Sequence, residues 1–269
     1  MTQLKQVAGF IGLFLLGSCW AAQGAITCST SDYHGTYAFM MNGAWLTSPA
    51  TSVPAGPFTM EGSFTSDGQG NVTVQSIVSL NGSIQSVDTK ATYTLNSNCT
   101  ISVLVNFPAP LGIAATFQGV MSADNRQMTL LLTNPAGTSI IGTHLKQFTE
   151  FCGGSEFNGA YAIDLGGTLL GSSALAGKFH RIGRLVADGS GNFTATTLVN
   201  YAGQLTPESF SGTYVLSGDC SLKLNYRSGS GSSAQSIGIS GLLVDGGSTV
   251  VMMITTPGWA VSGTLKAQQ

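Results

Sequence analysis

Apolar and polar residues alternate with a period of two along most of this chain, the pattern of strands that bury one face. Val72, Val74, Ser76, Val78 and Leu80 fall on one side, and Phe193, Ala195, Thr197, Val199 and Tyr201 keep the same phase further on. Ile101, Val103, Val105 and Phe107 alternate with Ser102, Leu104 and Asn106, and Leu222, Leu224 and Tyr226 alternate with Lys223, Asn225 and Arg227. Helical periodicity is absent outside the N-terminal stretch. Asp67-Gly68, Asn81-Gly82, Asp188-Gly189 and Asp245-Gly246 separate the runs. Such pairs supply positive φ for tight hairpins.

The pattern occurs twice. Cys28 precedes Gly35-Thr36-Tyr37 as Cys152 precedes Gly159-Ala160-Tyr161. Asp67-Gly68-Gln69-Gly70-Asn71 recurs as Asp188-Gly189-Ser190-Gly191-Asn192. Tyr93-Thr94-Leu95 before Cys99 recurs as Tyr214-Val215-Leu216 before Cys220, and Gly142-Thr143-His144-Leu145-Lys146 as Gly263-Thr264-Leu265-Lys266. The offset is 124 at the start (28 to 152) and 121 from the Asp-Gly turn onward (67 to 188), so one early loop differs by three residues. The repeat predicts two units, 26–147 and 148–269, each with about seven or eight strands.

Residues 1–25 read as an export signal. Lys5 supplies the charge, Val7 to Leu16 an apolar run too short for the ~20 residues of a membrane span, and Ala22-Gln23-Gly24 a cleavage site. Leu16-Gly17-Ser18-Cys19 also fits a bacterial lipobox, with Cys19 as the lipidated residue. No later segment is long and apolar enough to predict a transmembrane helix. The expected location is secreted or extracytoplasmic, in the periplasm or cell envelope. Cys19 apart, the cysteines fall two per repeat. In an exported chain this arithmetic implies disulfides, and the repeat symmetry favours Cys28–Cys99 and Cys152–Cys220. A zinc site is disfavoured because close Cys-x-x-Cys pairs are missing.

Composition narrows the function. Charged residues are 8%, and 12 acids against 10 bases give a net charge of −2. Loss of Lys5 with the leader takes the charge to −3. Without a basic face, a nucleic-acid binder held by phosphate contacts is excluded. A hydrophobic content of 43% excludes disorder.

Consecutive hairpins in a charge-poor chain predict an all-β fold of two tandem antiparallel up-and-down barrels, because closure removes exposed edges. β-sandwich repeats are the alternative, and an outer-membrane barrel a third. The immunoglobulin sandwich fits poorly, since Cys28 and Cys152 precede the first strands. The combination of Gly-Thr-Tyr, Asp-Gly-x-Gly-Asn, Gly-Thr-Tyr-x-Leu-x-x-x-Cys and a closing Gly-Thr-x-x-Lys resembles a group of uncharacterised secreted bacterial proteins with single or tandem copies. The resemblance implies barrels similar to the calycin and allene-oxide-cyclase-like folds. Ala91-Thr92-Tyr93 departs from it where Gly212-Thr213-Tyr214 keeps it. These motifs are turn and strand residues and transfer no catalytic role.

Candidate chemistry is sparse. His34, His144 and His180 form no metal-spaced cluster, and each reads as a solvated or strand-surface residue. Asp-Gly-x-Gly-Asn offers too few carboxylates for calcium and reads as an Asx turn. Lys178, His180, Arg181 and Arg184 form the one dense basic cluster. On a strand Lys178, His180 and Arg184 share a face, which makes them candidates for binding an anion or carboxylate. Phe179, Arg181 and Leu185 share the other face. Glu61 is expected to point outward. No Gly-x-Ser-x-Gly elbow or P-loop occurs, and no cofactor or metal is expected. The Gly-rich run from Ser228 to Ser233 reads as a loop.

Two functions fit. One is a non-catalytic binding module holding a small apolar molecule in a barrel mouth. The other is a structural or interaction protein of the cell envelope, meeting proteins or glycans. An isomerase or cyclase on a calycin-like barrel is a lesser alternative by analogy of fold. A ligand-sized cavity favours the first; a centre filled by Phe58, Phe64, Phe117, Phe193 and Tyr214 favours the second.

Overall fold

A computed structural model describes residues 27–109, 111–147, 151–172, 175–228 and 235–268. The leader, with Cys19, and the Gly-rich run past Ser228 lie outside the described residues.

Every predicted strand run forms a strand. In the first repeat these are His34–Trp45 (β1), Gly56–Asp67 (β2), Asn71–Leu80 (β3), Ser83–Leu95 (β4), Thr100–Asn106 (β5), Ala114–Met121 (β6), Gln127–Asn134 (β7) and Thr138–Lys146 (β8). In the second they are Asn158–Leu169 (β9), Gly177–Asp188 (β10), Asn192–Tyr201 (β11), Gln204–Leu216 (β12), Ser221–Ser228 (β13), Gln235–Val244 (β14), Thr249–Ile254 (β15) and Trp259–Ala267 (β16). Each strand pairs antiparallel with the next, and β1 closes on β8 as β9 closes on β16. The result is two closed eight-stranded up-and-down barrels, not sandwiches. Apolar residues of the alternating pattern line both interiors. An outer-membrane barrel has the opposite polarity, with its apolar band outside.

The repeated motifs hold an aromatic plug in one end of each barrel. Cys28–Cys99 and Cys152–Cys220 are disulfide-bonded. In the first barrel the segment after Cys28 makes a short 3-10 turn, Thr30–Asp32, and delivers the fully buried Tyr33. The Tyr33 ring lies 4.9 Å from the rings of Tyr37 and Tyr93. The Tyr93 hydroxyl donates to the carbonyls of Thr30 and Tyr33, both at 3.0 Å. Phe157 is the second plug, packed 4.7 Å from Tyr161, and the Tyr214 hydroxyl donates to its carbonyl at 2.8 Å. The tyrosine of Gly-Thr-Tyr-x-Leu therefore anchors the plug that the cysteine tethers. Glycine is required inside β2 at Gly62, where a Cβ would lie 2.1 Å from the Gln75 carbonyl oxygen. Gly183 meets the Thr196 oxygen in the same way in β10.

The barrels pack side by side. The outer face of β1, β2 and β3 lies against the outer face of β14, β15 and β16. Ala38 and Met40 meet Leu242, Val244 and Val251 in an apolar patch. Ser79 Oγ donates to the Trp259 carbonyl at 2.7 Å, and the Gly258 amide donates to the Gly82 carbonyl at 2.9 Å.

Candidate functional site

Among the described residues the barrel interiors show only small voids. One void, of about 40 Å³, lies in the first barrel among Phe39, Phe64, Phe117 and His144. Further voids measure about 10 Å³ in the first barrel and 20 Å³ in the second. Pockets for drug-sized ligands occupy about 300–1,000 Å³, and even a benzene-binding cavity needs about 150 Å³. The expected pocket for a small apolar molecule is thus filled. Phe58, Phe64, Phe117, Phe193 and Tyr214 are all buried, and the plug closes one end. An eight-stranded barrel is only just wide enough for such side chains.

Space opens instead between the barrels, in a groove of about 600 Å³. Alternation on β10 sends Lys178, His180, Ile182 and Arg184 outward and Phe179, Arg181 and Leu185 inward. Lys178 and His180 line the groove, and Arg184 does not. Arg184 sits further along the strand, where its Nε donates to Gln268 Oε1 at 3.1 Å. Asp164 on β9 and Asn42 on β1 line the same groove, as do Thr59 on β2 and Ser262 on β16. The hydroxyl oxygens of Thr59 and Ser262 are buried without a hydrogen-bond partner. An unsatisfied buried hydroxyl costs about 1–3 kcal/mol, so the floor of the groove retains unspent hydrogen-bonding capacity.

Glu61, His144 and Arg181 are buried in three separate places. Glu61 does leave its own barrel outward, between Met40 and Ile77, but it is not solvated. The second barrel covers it, and burial pushes its carboxyl up to about 7 even though the Ser240 hydroxyl bonds to it. His144 corrects the expectation of a surface histidine. It points into the first barrel, 4.8 Å from the Phe64 ring, and burial pushes its imidazole down to about 3. Tyr33 Oη lies 3.4 Å from His144 Nδ1, and His144 Nε2 has no partner. Arg181 is fully buried inside the second barrel. It donates to the Tyr226 hydroxyl and pairs with Glu208 Oε2 at 2.5 Å, while Glu208 Oε1 accepts from Tyr201 at 2.9 Å. Burial opposes its charge, but Tyr226 and Glu208 outweigh that and raise its pKa. Its guanidinium also lies 5.1 Å from the Phe210 ring centroid.

Among the described residues no three His, Cys, Asp or Glu side chains group as a metal site. In the Asp-Gly-x-Gly-Asn turns the carboxylate is occupied. Asp67 accepts from the Gln69 and Asn71 amides and from Asn71 Nδ2, and Asp188 does the same with Ser190 and Asn192.

The groove, and which faces of the two barrels meet, were not anticipated from the sequence, though a signal was there. Val250 to Ile254 is apolar at every position, as is Leu242 to Val244, where alternation requires polar residues. A strand buried on both faces reads as such a run.

No family model matches the chain, and no curated protein matches it. Among solved structures it is similar to the isotype 1 transferrin binding protein B from serogroup B Neisseria meningitidis. Identity is 7%, over 88% of this chain and 75% of that one, with a TM-score of 0.33. It is also similar to CghA, at 10% identity over 87% and 88% of the two chains, with a TM-score of 0.22. The fold assignment rests on the strand pairings, not on these likenesses.

Proposed function

We propose that this chain is an exported, non-catalytic binding protein that takes an acidic group in the groove between its barrels. The observation that carries the reading is a convergence. The groove has ligand-sized space, it presents two basic side chains, Lys178 and His180, and two unpartnered hydroxyls form its floor. Lys178 and His180 suit a carboxylate, Asn42 and Asp164 suit sugar hydroxyls, and Arg184 adds to the positive field along β10. The ligand class is an acidic sugar, free or at the end of an envelope glycan. The disulfides support an oxidising compartment. Removal of residues 1–25, or lipidation of Cys19, completes the export reading, and intact mass of the native protein distinguishes the two.

Calorimetric titration with glucuronate, with glucose as control, tests the site. Glucuronate is expected to bind and glucose to bind far more weakly. The double variant Lys178→Ala, His180→Ala is expected to lose glucuronate, and Arg184→Ala to weaken it modestly. Equal binding of both sugars, or binding unchanged in the double variant, overturns the reading.

A further inference from the structure

The internal contact between the barrels joins two different faces. β14, β15 and β16 are the repeat counterparts of β6, β7 and β8, and β9, β10 and β11 are the counterparts of β1, β2 and β3. The first barrel uses its front, β1 to β3, and the second uses its back, β14 to β16. Such a heterologous contact leaves one face of each kind unused. Here they are the back of the first barrel and the front of the second.

Both unused faces carry apolar side chains, four of them at positions that the internal contact buries and one, Leu198, at the position of the half-buried Ile77. Strand registers set the matches: Val120 corresponds to Leu242, Leu131 to Met253 and Ile141 to Ser262. On the front, Ile182 corresponds to Glu61 and Leu198 to Ile77. Leu242, Met253, Ser262 and Glu61 are at most 6% exposed, whereas Val120, Leu131, Ile141, Ile182 and Leu198 are 42% to 56% exposed. The exposed residues are not scattered. Leu131 pairs directly with Ile141 across β7 and β8, and Ile182 pairs directly with Leu198 across β10 and β11. Single exposed aliphatics are ordinary, but contiguous ones on two faces are not. Glu61, a carboxylate buried in the internal contact, is replaced on the open front by Ile182, and Met40 beside it by the exposed Asp164. Gln118, Thr129 and Thr143 surround the back-face cluster, which therefore sets no charge of either sign against Asp164, the cross-strand partner of Ile182, or against His180 and Arg184 of the front.

We propose that the front of the second barrel docks the back of the first barrel in another copy of this chain, repeating the internal contact between molecules. Each molecule then has one donor face and one acceptor face, and copies stack head to tail into a ring or filament. The inference stands apart from the groove reading, although His180 borders both the groove and the front face. The variants below leave Lys178 and His180 intact.

Sedimentation velocity of the oxidised, leader-free chain over a concentration series tests it. The wild type is expected to grow in mass with concentration. Ile182→Asp and Leu131→Asp are each expected to weaken association at least about tenfold, the scale of one lost aliphatic contact. Mixing the two variants is expected to restore a dimer that grows no further, since each keeps the face the other has lost. Ile182→Thr and Leu131→Thr, which suit strands, serve the same design if aspartate unfolds a barrel. A monomeric wild type, unaltered association in either single variant, or a mixture that stays monomeric overturns the proposal.

Discussion

Glu61 and His144 are both buried, and they make stability depend on pH in opposite directions. The carboxyl of Glu61 rises from 4.5 to about 7 on folding. Below pH 4.5 it is neutral in both states, and above about 7 the folded protein bears the cost of a buried charge. Its contribution is therefore fully present in acid and is lost as pH rises through 7, by about 3 kcal/mol. The imidazole of His144 falls from 6.5 to about 3. Its contribution is present above pH 6.5 and is lost as pH falls toward 3, by about 3 kcal/mol at about pH 4. Thermal melts across this range check both. Glu61→Gln is expected to raise the midpoint at about pH 8 and hardly at about pH 4.5. His144→Leu, which copies Leu265 of the second repeat, is expected to raise it in acid.

Arg181 is the third such residue, and the repeat offers a matched control. Its counterpart is Met60, and that of Glu208 is Val87. Arg181→Met alone strands Glu208 and two tyrosines inside the barrel and is expected to cost about 3–5 kcal/mol in urea unfolding. Adding Glu208→Val, which recreates the apolar pair of the first barrel, is expected to recover most of that loss. The period-two pattern correctly assigned Arg181 to the side of Phe179 and Leu185. That this side was the barrel core, and that Glu208 would stand opposite, required the pairing of β11 with β12 and the closing of the wall.

At the scale of the element, local chemistry and hydrophobic phase told most of the story. The β3–β4 hairpin turns on Asn81-Gly82, with φ of 47° and 83°. Its counterpart between β11 and β12 turns on Ala202-Gly203, with φ of 50° at an exposed alanine. Alanine tolerates that region poorly, and asparagine tolerates it well. Ala202→Asn is expected to stabilise the protein by up to about 1 kcal/mol, seen as a higher melting temperature. The sequence did not mark this turn, because its first residue lacks the usual Asn or Asp. Nor could alternation place Leu130, Leu131 and Leu132, which are apolar on both phases. In the structure Leu130 and Leu132 are buried inside and Leu131 is exposed outside.

For the whole molecule, the disulfides tether the plugs. The bonded cysteines are 71 and 68 residues apart, a separation at which chain entropy is worth about 4 kcal/mol per bond. Replacing Cys28 and Cys99 together by serine is expected to lower unfolding free energy by about that amount in denaturant melts. The loosened plug is expected to make Tyr33 accessible to aqueous quenchers.

The chain by itself determined that it is all-β, that it is a duplication, which face of most strands turns inward, and where four of the hairpins turn. These properties follow from neighbours in sequence: a side chain's phase along a strand and the φ that its turn residues allow. Tertiary structure decided the rest. It showed that the barrel centres are full, because interior volume depends on how sixteen strands close and on the aromatic plugs that enter them. It brought Lys178 and His180 opposite Asn42 in a groove, and it sealed Glu61 beneath the second barrel, because one repeat uses its front where the other uses its back. Two copies of one pattern carry no local record of which faces meet.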